Sequence, residues 1–265
     1  MGIGKMTGCF FSVSRDALAK GLIRVGVTPN VLTVFGLIFT AGAGVALAAA
    51  VELTGGRGCD FQWWSRAHGY YGIAAGLLFL SNACDMLDGA AARIGNMSSK
   101  FGGFLDSSLD RLNDFFMWAG PAAGYTLLEK PNITFVLLCM VAVLNSFMIS
   151  YCKCRAEDFI DQCRVGFWRR GERCAAVLIA AIACNISMAV VMIALSGTFT
   201  WLRRISYTRT MIRQGRQQDT LLGKIQPWRW PRMTLPHDAA VIGNISMLMF
   251  LRFDPADLDL LRNFM

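Results

Sequence analysis

Residues 85–110 read DMLDGAAARIGNMSSKFGGFLDSSLD, a stretch that lies in a strongly hydrophobic part of the chain. Asp85 and Asp88 are three residues apart and Asp106 and Asp110 are four apart, so on helices each pair shares one face. Four carboxylates that converge in an apolar setting stay ionised only when cations neutralise them. The stretch therefore predicts a membrane site for Mg²⁺ or Mn²⁺ and a phosphate-bearing substrate.

The composition of the chain indicates a helical membrane protein. Its 265 residues are 54% hydrophobic and 17% charged, with a mean hydropathy of +0.43, and long uncharged stretches are typical of membrane-spanning helices. We predict an all-α integral membrane protein with six transmembrane helices. They fall near residues 29–51, 69–90, 103–128, 132–152, 173–186 and 187–205. The last two are short for full crossings, which leaves a five-span arrangement open.

Two further regions flank the predicted membrane domain at 28–207. Within residues 1–27, small and apolar side chains such as Leu18 and Val25 recur at helical spacing opposite basic ones such as Lys20. This pattern predicts an interfacial amphipathic helix that lies in the headgroup plane. Residues 208–265 are predicted to form a cytoplasmic or interfacial tail, whose role the sequence does not indicate.

The distribution of charge predicts the orientation in the membrane. Basic residues crowd the N-terminus, the 91–102 loop, the 153–173 segment and the region after Trp201, whereas the alternate loops carry few charges. The positive-inside rule then places the carboxylate motif and both termini on the cytoplasmic side of the cell membrane, which requires an even number of spans. The net charge of +8 suits anionic lipid and phosphate groups. Nucleic-acid binding would explain the charge but not the spans.

A transporter that uses intramembrane carboxylates is the alternative from another class. Its acids would be spread along a pathway through the membrane, whereas here they cluster at two predicted helix ends. The nine cysteines include no zinc-like CxxC pair, and we predict free, buried thiols. The 52–68 loop, with Trp63 and Trp64, is interpreted as an interfacial aromatic belt without chemistry.

The motif resembles the signature of the CDP-alcohol phosphatidyltransferases. Eight fixed positions agree with that signature in type and spacing: Asp85, Asp88, Gly89, Ala92, Arg93, Gly102, Asp106 and Asp110. The resemblance implies that an acceptor hydroxyl attacks the lipid-side phosphorus of CDP-diacylglycerol and that CMP leaves. All four aspartates of the signature would bind metal, Mg²⁺ first and Mn²⁺ as an option, and Asp110 would also accept the hydroxyl proton. Asp114 lies outside the signature and is interpreted as a polar residue on a helix face.

The resemblance also implies the residues that hold the CDP-lipid. Those residues are Asn30, Val31, Leu32 and Thr33 after Pro29, together with Gly89, Arg93 and Ser99. The family forms homodimers, and the small residues at 41–44 would permit close helix packing.

The acceptor is implied by a second similarity. Residues 150–157 and the later Glu172-Arg173 pair resemble the phosphatidylinositol phosphate synthases. The phosphate of inositol phosphate would then be bound by Lys153, Arg173, Arg204 and Arg170. A phosphatidylglycerophosphate synthase that uses glycerol 3-phosphate remains the alternative. Ser107 and Arg111 count against it, because those enzymes usually carry proline and lysine there.

Overall fold

The computed structural model describes residues 3–59, 65–163, 165–214, 235–252 and 254–258. Eight α-helices occur in these residues, followed by a 3₁₀ turn at Pro255–Leu258: α1 Ile3–Arg24, α2 Pro29–Thr54, α3 Arg66–Ile94, α4 Lys100–Thr126, α5 Ile133–Ala156, α6 Arg170–Ile182, α7 Ile186–Gln214 and α8 Leu235–Phe250. Pro29 begins α2, where its missing N–H costs no helical hydrogen bond. Gly55 ends α2 in the left-handed conformation, which glycine adopts without a steric penalty.

The all-helical class is confirmed, and each of the six predicted spans falls mainly within one helix. Four helices are long and apolar enough to cross a membrane, namely α2, α3, α5 and α7. Helix α4 has 27 residues but carries the charged side chains of the motif, and α6 has only 13 residues. Length and composition therefore support about four spans in the described chain, and the number six stays a prediction.

Helix α2 is the centre of the bundle, because it packs against both α3 and α4. Gly44 of α2 meets Gly120 of α4 so closely that a Cβ at Gly120 would lie 2.2 Å from the Gly44 carbonyl oxygen. Small residues are what permit such a helix crossing. Gly44 belongs to the 41–44 stretch for which we predicted a role in dimer packing, and here it serves packing within the chain.

Helix α1 packs beside the C-terminal part of α3. Ala19 is fully buried in a small cluster with Leu32, Ala90 and Ala91. Leu18 and Val25, by contrast, are exposed. The apolar face predicted for this helix is therefore turned away from the bundle, and its placement in the headgroup plane stays a prediction.

The C-terminal segment packs on the far end of the bundle, which we define as the end where α2 finishes and α3 begins. Arg57 forms an ion pair of 2.8 Å with Asp254. Asn132 donates a hydrogen bond of 2.8 Å to the carbonyl oxygen of Pro255. The carboxylate motif lies at the opposite end, where α3 finishes and α4 begins.

The cytoplasmic or interfacial placement predicted for residues 208–265 stays a prediction. Residues 248–252 and 254–258 contact the far end, because polar side chains of the far-end loops bond backbone carbonyls in the last turn of α8 and just after it. Asn185, for example, donates to the carbonyl oxygens of Leu248 and Leu251, each at 2.9 Å. Helix ends need such partners for their last carbonyls. Residues 259–265 lie outside the described residues.

Candidate active site

Three of the four motif carboxylates converge at the motif end of the bundle. Asp85 and Asp88 lie in the last three turns of α3, and Asp106 lies in the second turn of α4. One oxygen from each of the three lies within 4.8 Å of the others. The predicted pairing of helix faces is therefore present, and it joins two helices into one acidic cluster.

The connection between α3 and α4 brings the cluster together. Asn96 adopts a positive φ of 50° in this turn, a conformation that asparagine tolerates better than most residues. The Ser99 hydroxyl accepts a hydrogen bond of 2.9 Å from the Gly102 amide and so caps the start of α4. The Thr33 hydroxyl, on helix α2, donates a hydrogen bond of 2.8 Å to Oδ2 of Asp88.

The acidic cluster fits a divalent cation. Oδ1 of Asp106 is buried and has no hydrogen-bond partner among the described residues, and a buried carboxylate oxygen without a partner is costly. Asp88 is buried as well, whereas Asp85 is exposed and opens the cluster to a substrate. Hard oxygen ligands with open positions are the kind that Mg²⁺ and Mn²⁺ prefer. The cluster is therefore a candidate site for a divalent metal.

Asp110, the fourth predicted ligand, is not one of the three converging groups. Its Oδ1 atom lies 2.8 Å from the guanidinium of Arg170, and the same guanidinium also contacts Asp85. Arg170 begins α6, so this helix contributes a cation to the carboxylate site. Asp110 is thus connected to the acidic cluster through Arg170 in this structure.

A cleft of about 250 Å³ lies on the α2 side of the acidic cluster. Five of the seven predicted CDP-lipid residues line it: Asn30, Thr33, Gly89, Arg93 and Ser99. The other two do not line it. Leu32 is buried against α1 and Val31 is exposed elsewhere on the helix. The reason is helical geometry, because residues 30 and 33 share a face that residues 31 and 32 do not.

A second cavity, of about 580 Å³, lies on the α6 side. It is lined by all four residues predicted to bind the acceptor phosphate, Lys153, Arg170, Arg173 and Arg204, and by Asp110. Cys163 also lines it. Burial raises the pKa of the Cys163 thiol, so this group stays protonated near neutral pH. The cavity therefore joins a strongly basic wall to the carboxylate of Asp110.

Comparison with known proteins matches this arrangement to one family. The family model for CDP-alcohol phosphatidyltransferases matches residues 26–211. The chain belongs to the CDP-alcohol phosphatidyltransferase family. It is therefore a membrane transferase of phospholipid biosynthesis that depends on a divalent metal.

Individual relatives agree with the family. An archaetidylinositol phosphate synthase from Pyrococcus horikoshii is 32% identical over 202 residues, which cover 76% of this chain and 93% of that protein. The crystal structure of Mycobacterium tuberculosis phosphatidylinositol phosphate synthase with CDP-DAG bound has a TM-score of 0.61 and 25% identity. It covers 74% of this chain and 94% of its own. A structure of the same enzyme with manganese and citrate has a TM-score of 0.59 and 25% identity, and covers 74% of this chain and 89% of its own.

The sequence did not predict the role of Asp114. This residue is 1% exposed, and its Oδ2 atom lies 2.6 Å from the guanidinium of Arg173, which is fully buried. It is therefore not a polar residue on an open helix face. The sequence did contain one signal that Asp114 faces the bundle. Asp114 lies four residues after Asp110, and residues four apart share a helix face.

Two of the cavity arginines are held by the protein itself. Arg173 donates to Asp114 and, at 3.0 Å, to the carbonyl oxygen of Trp168. Arg204, which is 2% exposed, donates to the carbonyl oxygens of Ile149 and Val165. Lys153, in contrast, is exposed. Lys153 can therefore turn toward a ligand in the cavity on the α6 side, whereas Arg173 and Arg204 are fixed by their bonds within the protein.

Proposed function

We propose that this enzyme transfers a phosphatidyl group from CDP-diacylglycerol to a hydroxyl of inositol phosphate and releases CMP. The observation that carries the proposal is the basic cavity beside Asp110. Lys153 and Arg170 line it together with that carboxylate, and the acidic cluster lies one side chain away, because Arg170 contacts Asp85. A phosphorylated acceptor would thereby be held next to the metal site.

In the proposed reaction the acceptor hydroxyl attacks the phosphorus that carries the lipid, and the bond from that phosphorus to the CMP oxygen breaks. Asp110 accepts the proton of the hydroxyl, since it faces the cavity where the acceptor binds. Asp85, Asp88 and Asp106 would hold a divalent cation, which would supply positive charge for the diphosphate and for the leaving CMP. We propose Mg²⁺ for this ion, with Mn²⁺ as a substitute.

The cleft on the α2 side would bind the cytidine diphosphate. Gly89 lines this cleft, and because it has no side chain a nucleotide could approach the α3 backbone there. The Arg93 guanidinium can bind two phosphate oxygens with its fork. Asn30 and Ser99 lie on either side of Gly102, where a Cβ would come within 3.3 Å and 3.0 Å of their side-chain oxygens, so this wall is tightly packed.

The acceptor is proposed to carry its own phosphate. Lys153 is exposed and can turn to a ligand, whereas Arg173 and Arg204 would supply positive charge from fixed positions. A charge-assisted hydrogen bond to phosphate contributes about 1.5–3 kcal/mol. A neutral polyol would supply no counter-charge to Lys153 or to the buried Arg204, which is less favourable than a bound phosphate. The cytoplasmic placement of the site and a homodimeric state remain part of this proposal.

An acceptor comparison tests the proposal. The full chain in detergent, with CDP-diacylglycerol and Mg²⁺, is supplied with inositol phosphate, glycerol 3-phosphate, free inositol or serine, and the lipid products are identified by mass. We expect inositol phosphate to have the highest kcat/KM. If glycerol 3-phosphate is preferred, the phosphate pocket stands and the inositol assignment is wrong. If serine or free inositol is preferred, the phosphate pocket is wrong as well.

A matched pair of lysine variants tests the basic wall. Lys153→Met should raise the KM for the phosphorylated acceptor by roughly tenfold or more and leave the KM for CDP-diacylglycerol nearly unchanged. Lys130→Met is the control, because Lys130 is exposed in the loop between α4 and α5 at the far end. An unchanged acceptor KM in Lys153→Met contradicts a phosphate contact for this residue.

A further inference from the structure

Outside the transferase site, a second group of metal-ligating side chains lies at the far end of the bundle. Cys59, His68 and Cys184 each offer one ligand atom, and the two sulfurs and the imidazole nitrogen all lie within 4.8 Å of one another. They come from three different segments: the connection after α2, the first turn of α3 and the turn between α6 and α7. Both cysteines are buried, and neither forms a disulfide.

The backbone is shaped to bring the two cysteines together. Gly58 has a φ of +83°, and a Cβ there would lie 2.4 Å from the carbonyl oxygen of Cys184, so only glycine allows this approach. Cys184 itself has a φ of 52°, and Asn96 is the other non-glycine residue with a positive φ among those described. A cysteine in this left-handed region is uncommon, and such strain persists only where the surrounding structure holds it.

Arg252 ties the same two segments together from the C-terminal side. Its guanidinium donates to the carbonyl oxygen of Cys59 and, at 3.3 Å, to that of Ala183. The Arg252 guanidinium thus bonds the backbone of Cys59 and the backbone of the residue that precedes Cys184. Arg252 lies beyond residues 26–211, the part that the family model matches, so this cluster depends on a segment that is additional to the common fold.

The imidazole is also oriented by its neighbours. Nδ1 of His68 accepts a hydrogen bond of 3.1 Å from the Ser65 backbone N–H and lies 3.0 Å from the Ser65 hydroxyl. Binding of a metal through Nε2 would move the imidazole proton to Nδ1, where the Ser65 hydroxyl would accept it in place of the bond from the Ser65 N–H. A second partner of this kind is what fixes the ring of most metal-ligating histidines.

A buried hydroxyl beside the cluster supplies a further observation. Tyr71 is 1% exposed, and the Thr54 side chain and both thiols, of Cys59 and Cys184, are among its electrostatic neighbours. The cluster therefore has a buried polar group beside it that a metal-bound water could contact.

We propose that Cys59, His68 and Cys184 bind a Zn²⁺ ion, with a water as the fourth ligand. Two thiolates and one imidazole are a soft and borderline ligand set, which favours zinc over Mg²⁺ or Ca²⁺. Tetrahedral zinc places two sulfurs about 3.8 Å apart, from Zn–S bonds of about 2.3 Å. The three ligand atoms lie within 4.8 Å of one another, so they would have to move only slightly closer together to bind the ion. The bound ion would pin the 58–59 connection, the start of α3 and the α6–α7 turn to one another.

The test uses cobalt as a spectroscopic substitute for zinc. The full chain is purified in detergent under reducing conditions, stripped with chelator and returned to excess Mg²⁺, which occupies the carboxylate site. Titration with Co²⁺ should then produce a thiolate-to-cobalt charge-transfer band that saturates at one equivalent and disappears when Zn²⁺ is added. Zinc should also raise the midpoint of thermal unfolding by roughly 5 °C.

Variants assign the ligands. Cys59→Ser and Cys184→Ser should each abolish the band, and Cys154→Ser should keep it, because Cys154 is exposed at the motif end. His68→Gln retains both thiols and should weaken Co²⁺ binding by tenfold or more, with circular dichroism to check that the helices persist. No band in the native chain, or a band that survives both cysteine variants, overturns the proposal. So does a Cys59–Cys184 disulfide, found by mass under non-reducing conditions.

Discussion

The carboxylate of Asp114 and the guanidinium of Arg173 form an ion pair of 2.6 Å in which both side chains are almost completely buried. The pair joins α4 to the first turn of α6. Arg170 lies in that same turn and contacts Asp110, so a buried structural pair fixes the helix that carries a cation into the active site.

We expect Arg173→Ala to destabilise the protein by about 3–5 kcal/mol, because it leaves the Asp114 carboxylate buried without its partner. Replacing both residues, as Arg173→Met with Asp114→Leu, should restore most of that stability. Unfolding in detergent measures both effects. Arg155→Ala is the control, since its ion pair with Asp158 is exposed and should contribute less than about 1 kcal/mol. A stable Arg173→Ala that loses only acceptor affinity would make Arg173 a ligand contact instead.

Asp110 and Asp88 should respond differently to loss of their charge. Asp110→Asn should lower turnover by roughly 10² or more, the usual effect of losing a positioned base, and leave the Mg²⁺ dependence unchanged. Asp88→Asn should instead raise the Mg²⁺ concentration needed for half-maximal activity, because Asp88 is one of the three converging carboxylates. A metal titration of both variants distinguishes the two roles, and exchanged phenotypes would contradict them.

Arg170 competes with a cation for Asp85, since its guanidinium contacts that carboxylate and Asp110 together. Arg170→Gln should therefore lower the Mg²⁺ concentration for half-maximal activity while raising the acceptor KM by roughly tenfold, as expected when one charge-assisted contact to phosphate is lost. Both are read from initial rates of CMP release. Arg155→Gln, an exposed position outside the cavity lining, should change neither quantity. An unchanged metal dependence in Arg170→Gln would show that the Asp85 contact does not compete.

Gly120→Ala should separate α2 from α4, because the new Cβ would lie 2.2 Å from the Gly44 carbonyl oxygen. We expect a loss of about 1–3 kcal/mol, as in other overpacked interiors, measured as a lower midpoint of thermal unfolding. Gly76→Ala is the matched control, since no atom lies within 4 Å of its added Cβ. Equal midpoints for the two variants would contradict the close crossing.

The position of residues 248–258 predicts a labelling pattern in oriented vesicles. Single cysteines at Glu52 and Ala256, in an otherwise cysteine-free chain, should label from the same side of the membrane, and one at Ser98 should label from the other. All three positions are exposed. The expectation follows from the contacts of the C-terminal segment with Asn132 and Arg57 at the far end. If Ala256 labels together with Ser98, the tail does not pack there in the membrane.

The local patterns of the sequence determined the helices and the acidic motif. Hydrophobic runs predict where the spans lie, because burial in lipid requires nearly continuous apolar helices. The spacing of Asp85 and Asp88 predicted that the two share a helix face, since helical periodicity fixes which side chains lie on one side. Their approach to Asp106 depends on how α4 packs beside α3. The same periodicity shows why Val31 and Leu32 do not line the cleft on the α2 side, although they lie in the segment that does.

Only the tertiary structure decided which distant groups meet. Asp114 and Arg173 are 59 positions apart, and Cys59 and Cys184 are farther apart still. Their pairing depends on how α6 and its flanking turns pack on the bundle, and no local spacing encodes that. The docking of residues 248–258 was likewise missed, because it depends on loop side chains that bond backbone carbonyls rather than on a hydrophobic pattern. Periodicity within one helix is a local property of a sequence, whereas contacts between separate helices are set by the packing of the whole chain.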